Sequence, residues 1–185
     1  LLDHPDMLQA TYQCGIGNAL TLFGGVAASD GYRSLLAGAA VMTPVGEFAV
    51  DTSHARTRLD GVRPGGRRSG SSVRLSYNNR IDATDTHIRL SAWQYPNDGY
   101  LGQFEAILAR DHARRGEMIE QARPRDLLQL SVNQRLGDAG SLYLSASMQD
   151  NAGSPGRARH FLFGYGNRWG RLTYGLSASR GTTAG

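Results

Sequence analysis

Two runs of strictly alternating residues occupy positions 45–79. In the first, Phe48, Val50 and Thr52 fall on one side and Glu47, Asp51 and Ser53 on the other. In the second, Val73, Leu75 and Tyr77 oppose Arg74, Ser76 and Asn78. A strand turns successive side chains to opposite faces, so the pattern reads as a hairpin with one apolar and one polar face. The stretch between the runs, 58–68, carries Arg58, Arg63, Arg67 and Arg68 among glycines and reads as the loop of that hairpin. A two-residue period does not suit a helix, and here it recurs to the end of the chain.

Taken in order, alternating segments fall at 8–15, 20–28, 32–42, 47–53, 73–78, 86–95, 126–135, 141–149, 160–169 and 172–179. In the third, positions 35–42 are apolar or small throughout, so its faces stay unassigned. The expected fold is all-β: an antiparallel, up-and-down transmembrane β-barrel segment of about ten strands, each near the length that crosses a bilayer when tilted. The links add a second signal. Numbered in order, links 1–2, 3–4, 5–6, 7–8 and 9–10 are short and links 4–5, 6–7 and 8–9 long, with 2–3 the exception. Outer-membrane barrels sort their loops this way, whereas the crossovers of a soluble sandwich do not.

Composition narrows the partners. The chain of 185 residues holds 24 glycines and is 40% hydrophobic, a mix that suits strands and turns better than a helical core. Every basic residue is an arginine, and the arginines are spread over polar faces and loops. Nucleic acid, which selects a basic stripe with interleaved aromatics, is therefore not the expected partner. Cys14 is the sole cysteine and is expected to act as a small apolar side chain, with no internal disulfide and no zinc cluster. No cofactor is expected. The chain opens at Leu1-Leu2-Asp3-His4 without a signal-peptide pattern, and both ends read as cuts in a longer protein. No apolar run approaches the ~18 residues of a membrane helix, which leaves barrel strands open.

The polar faces of these segments carry Asp51, Arg74, Asn78, Arg89, Gln129 and Asn133. Such a face suits a wet lumen; the other reading is a solvent-exposed sheet face. The alternating period breaks at 101–115, where Phe104, Ile107, Leu108 and Asp111 recur at helical spacing among good helix formers. This reads as a short amphipathic helix in an external loop, against an extended loop. Catalysis is not expected. His54, His87, His112 and His160 are scattered, and Asp51 and His54 fall on opposite strand faces. The arginines of 58–68 read either as a solvated external loop or as a contact to anionic lipopolysaccharide.

From Thr21-Leu22-Phe23-Gly24-Gly25 onward the sequence resembles the fimbrial outer-membrane ushers. The likeness runs through Gly31-Tyr32-Arg33, Pro44-Val45-Gly46 with Phe48, Val50 and Asp51, and Gly70-Ser71-Ser72-Val73-Arg74-Leu75-Ser76-Tyr77. It continues at Trp93-Gln94-Tyr95 with Gly99-Tyr100, more weakly over Gln134-Arg135-Leu136-Gly137 and 142–147, and by pattern alone over 161–179. The resemblance implies a large outer-membrane barrel that receives chaperone–pilin complexes, catalyses subunit polymerisation by donor-strand exchange and passes the fibre through its lumen. Residues 1–185 would be a middle piece of that barrel wall, without the periplasmic N- and C-terminal domains and without the plug domain. The resemblance also places a plug-holding helix at 101–110, so that Phe104, Ile107 and Arg110 become expected plug or gating contacts. The implied partners are pilin subunits, a periplasmic chaperone, outer-membrane lipid and the plug of the same chain. The readings held beside it are a porin or adhesin translocator, and a soluble all-β carbohydrate-binding domain.

Overall fold

The computed structural model describes residues 6–59, 66–96, 99–114, 123–152 and 156–183. These form β1 (Met7–Ile16), β2 (Leu20–Ser29), β3 (Tyr32–Thr43), β4 (Gly46–Leu59), β5 (Gly66–Ile81), β6 (Thr86–Gln94), α1 (Gln103–Arg114), β7 (Arg123–Arg135), β8 (Ser141–Ala152), β9 (Arg157–Trp169) and β10 (Leu172–Thr183). The strands make one sheet in the order β1 to β10, each antiparallel to the next. β1 and β10 are its two edges, with no pairing between them among the described residues.

The register turns the alternation into two continuous faces. Val50 lies opposite Leu75, Leu75 opposite Ala92, Ala92 opposite Leu128, and Leu128 opposite Met148. One step along, Asp51 meets Arg74, and Asn78 meets Arg89, which meets Ser131. The apolar face thus gathers Val73, Leu75, Ile88, Leu90, Leu128, Leu130, Leu142, Leu144, Phe161, Phe163, Leu172 and Leu176. The register also settles β3: Leu35 pairs with His54 on the apolar face and Leu36 with Ser53 on the polar face. Cys14 lies exposed on the apolar face of β1, opposite Leu22.

No second layer covers the apolar face among the described residues; Leu8, Leu75 and Leu176 are 70%, 56% and 72% exposed. The buried apolar cluster lies on the other side. Tyr32, Ala55, Leu101 and Ala106 meet where α1 rests on the polar face. The sheet is therefore held by its backbone ladder and by cross-strand side-chain pairs rather than by a core.

Two expected loops are corrected. At 58–59 and 66–68 the strands continue: Arg58 pairs with Arg67 and Leu59 with Gly66, and the Arg58 N–H donates to the Gly31 carbonyl at 2.7 Å. Arg63 lies outside the described residues. The loop expected beyond Gln149 is likewise shortened, because β8 runs to Ala152 and β9 starts at Arg157, whose guanidinium pairs with Asp150 at 3.4 Å. The cause is the same in both places. Alternation is visible only while one face is apolar; beyond that zone both faces are polar and the ladder carries on unmarked. The third expected link, 79–85, also shortens. β5 reaches Ile81, and a 3-10 turn at Asp82–Thr84 leads into Asp85, which holds a left-handed backbone at φ 43°.

Gly38 on the polar face tests how tightly this wall is packed. A Cβ there would come within 2.5 Å of the Phe23 ring and 2.6 Å of the Asp51 Cβ. In the full-length protein, Gly38→Val is expected to lower stability by about 1–3 kcal/mol through overpacking. Gly175→Ala, whose nearest neighbour would be the Tyr165 carbonyl at 3.6 Å, is expected to be near neutral. Urea titration in detergent checks both; equal effects would mean that the Phe23–Gly38–Asp51 packing is loose.

Candidate functional site: the polar face and its docked helix

The polar face carries a hydrogen-bonded ladder because the register sets complementary groups opposite one another. Arg74 Nε donates to Asp51 Oδ2 at 2.7 Å. Asn78 Nδ2 donates to Glu47 Oε1 at 3.2 Å, and Arg89 Nε donates to Asn78 Oδ1 at 3.2 Å. Asp51 is 6% exposed, so its charge depends on that arginine; a buried carboxylate without a partner would be costly. Farther across the sheet the face turns small and uncharged, with Ser91, Gln129, Ser131, Ser145 and Ser147 around a shallow groove beside Arg89.

The helix sits at one end of this face. Gly102 starts it: the Ala106 N–H donates to the Gly102 carbonyl at 2.8 Å, and Glu105 Oε2 accepts the Gly102 N–H at 2.9 Å. A carboxylate in the first turn also complements the helix dipole. Ala106, Arg110 and Ala113 are buried, at the three- and four-residue spacing of one helix face. Ala106 packs with Ala55 and Tyr32, and Ala109 joins them from the same side. The alanines let the helix lie close to the sheet.

Upstream of the helix the backbone itself touches the wall. A Cβ on Gly70 would overlap the Tyr100 backbone, and one on Gly99 would overlap the Ser69 carbonyl. Ser53 Oγ donates to the Tyr100 hydroxyl at 2.8 Å and lies 2.7 Å from Ser72 Oγ. The Tyr95 and Tyr100 rings stand 5.6 Å apart. Burial, then the Glu105 carboxylate and Tyr100, push the Tyr95 phenol above its ordinary pKa.

Docking leaves some polar groups unmet. Arg110 Nε, Gln103 Nε2 and Ser29 Oγ are buried with no hydrogen-bond partner among the described residues.

The expected site residues are distributed as follows. Asp51, Arg74, Asn78, Arg89, Gln129 and Asn133 all lie on the polar face. Asp51 and His54 stand on opposite faces, His54 instead meeting Ser71 at 3.0 Å and Ser69 at 3.3 Å. The set Phe104, Ile107 and Arg110 is divided. Phe104 is 72% exposed and Ile107 half-buried, whereas Arg110 is turned into the wall, its guanidinium against Gly31 at the β2–β3 turn. Against the sheet the helix buries its alanine face, Ala106 with Ala109 beside Tyr32, Ala55 and Leu101. Ser53, Gly70 and Tyr100 were not singled out as site residues; a lone glycine in an alternating run, opposite Ala55, was the available signal.

The family model described as "Outer membrane usher protein" matches residues 2–185. The chain belongs to the outer membrane usher family. Similar relatives include the outer membrane usher protein HtrE of Escherichia coli, 31% identical over 96% of this chain. MrkC of Klebsiella pneumoniae is 30% identical over 97% of it. The chain spans only about a fifth of these ushers, 22% of each. In three dimensions it is similar to the translocation pore of the P pilus usher PapC, with TM-score 0.69 and 24% identity over 97% of this chain and 36% of that one. It is also similar to a chain of an Escherichia coli P pilus tip assembly intermediate, PapC-PapD-PapK-PapG, with TM-score 0.72 and 23% identity over 98% of this chain and 22% of that one. At these identities the structural matches establish the shared sheet architecture.

The Gly70 contact generates a direct test. In the full-length usher, Gly70→Val should dislodge the 99–102 segment and free α1 while leaving β5 paired. Tryptic cleavage after the buried Arg110 should then accelerate about tenfold, the effect of a 1.4 kcal/mol shift in an opening equilibrium. Unchanged cleavage in a well-folded variant would show that Gly70 does not hold the helix.

Proposed function

We propose that this chain is a section of the wall of a transmembrane usher barrel in a Gram-negative outer membrane. Through that barrel, pilus subunits delivered by a periplasmic chaperone are assembled and exported. One observation carries the reading: a single up-and-down sheet whose apolar face is bare and whose opposite face is a paired polar ladder. A bare apolar face of this extent needs an apolar phase to cover it, and lipid supplies one without a second protein layer. Two open edges fit a section of a closed wall, since unpaired edges are costly in a bilayer. Asp51, Arg74, Asn78, Arg89, Gln129 and Asn133 then line the lumen. Family membership favours this over a porin, an adhesin translocator or a soluble carbohydrate-binding sheet. The family is one of transport and assembly rather than of catalysis.

The helix is read as a latch at the mouth on the side of link 95–122. Its alanine face and Arg110 hold it to the wall. Phe104 and Ile107, left facing away from the buried side, are offered to a plug domain of the same chain.

Two measurements test this. In the full-length protein, Leu90→Arg on the apolar face is expected to cost about 2–4 kcal/mol near the bilayer midplane, and Ser91→Arg on the polar face far less. Equal costs in a folding titration into vesicles would refute the lipid-facing assignment. Separately, Phe104→Ala with Ile107→Ala should raise channel conductance or antibiotic entry at normal outer-membrane levels. Each fully buried apolar side chain contributes about 1.5–3 kcal/mol to a closed state. Wild-type closed conductance in the double variant would show that the helix does not gate.

A further inference from the structure

The apolar face carries charge only at one end. Its arginines Arg33, Arg56, Arg58 and Arg67 stand on β3, β4 and β5 beyond the apolar zone, toward links 30–31 and 60–65. Arg157, Arg159 and Arg180 mark the same end of β9 and β10, with Arg157 paired to Asp150. At the opposite end this face shows Ile16, Leu20, Trp169 and Leu172 and, among the described strands, no arginine. Arginines on the polar face show no such bias: Arg68 lies at one end, Arg74 and Arg89 in the middle, Arg80 and Arg135 at the other.

The register within the first group is unusual. Arg33 lies directly opposite Arg56, and Arg58 directly opposite Arg67. Directly opposed like charges on one face destabilise a sheet unless an anion sits between them. Among the described residues, no carboxylate forms an ion pair with any of the four. One step toward the apolar zone, Leu35 pairs with His54, whose ring bridges Ser69 and Ser71 and so presents a hydroxyl-rich strip.

We propose that Arg33, Arg56, Arg58 and Arg67 bind the phosphates of a multiply phosphorylated glycolipid in the leaflet at this end of the barrel. The inference rests on the lipid-facing reading of the apolar face. Guanidinium groups grip phosphate with paired N–H donors, and a second anionic group on the same headgroup satisfies the second arginine pair. A diester phospholipid with one charge meets the array poorly. The hydroxyl strip beneath faces the depth at which sugar rings meet acyl chains. The one-ended placement orients the barrel by headgroup charge, as basic residues near a membrane surface do when one leaflet is anionic.

The experiment uses the full-length usher, wild type and R33Q/R56Q/R58Q/R67Q, in neutral detergent and in vesicles. Probes are bis-phosphorylated lipid A, its dephosphorylated form, phosphatidylglycerol and inorganic phosphate. Wild type should retain bis-phosphorylated lipid A through detergent exchange about tenfold better than the variant, and gain melting temperature only with that lipid. Without lipid the variant should melt no lower than wild type, because the opposed charges are gone; a lower value would mean that the arginines serve the fold and would overturn the proposal. Arg→Lys variants should retain part of the binding, since charge without the fork remains. Equal retention by the glutamine variant, equal binding of dephosphorylated lipid or phosphatidylglycerol, or full competition by inorganic phosphate would each overturn the glycolipid site. A protein that folds into vesicles yet shows no lipid preference removes only this inference, whereas failure to enter vesicles removes the lipid-facing reading with it.

Discussion

The structure depends on completing the backbone hydrogen-bond ladder from strand to strand. A sheet without a second layer gains little from core burial, so each strand is held by its two neighbours and by the side chains directly across from it. That constraint explains the strict next-neighbour order from β1 to β10, the consistent register, and the two faces that follow from it. Once Asp51 is set opposite Arg74, the period of two commits every other residue of both strands to a face. The network through Glu47, Asn78 and Arg89 is the same commitment carried across another strand.

Strand identity and order were legible in the sequence because apolar and polar residues alternate through the middle of most strands. The strand ends were not. β4 from His54 to Leu59 and β5 from Gly66 to Ser72 carry arginine, serine, threonine and glycine on both faces, so they look like loop and behave as ladder. In β3 the difficulty was the reverse: Leu35 to Met42 is apolar or small on both faces, and only pairing with β4 separates Leu35 from Leu36. The helix was visible from its spacing, yet the face it buries was not. Hydrophobicity marks Phe104, Ile107 and Leu108, while the face against Tyr32 and Ala55 is made by Ala106 and Ala109, which a hydrophobic pattern does not single out.

The helix and the wall make a join of unequal parts. The wall side is rigid, set by paired strands, and the Gly70–Tyr100 approach leaves no tolerance for a side chain. The helix side contributes small apolar contacts and an arginine whose Nε finds no partner among the described residues. Such a join fixes the docked position through close backbone approach and small side chains rather than through large apolar contacts.

The pairing of Asp51 with Arg74 has a consequence for friction. A carboxylate held at 2.7 Å by a guanidinium on the neighbouring strand has spent most of its field locally. In the proposed pore, a folded subunit sliding past meets charges already neutralised by their neighbours, followed by a serine-lined stretch that offers only weak, exchangeable contacts. The surface stays wet because it is polar and stays slippery because its polarity is engaged with itself. Breaking one partner of such a pair would leave the wall standing and make it sticky.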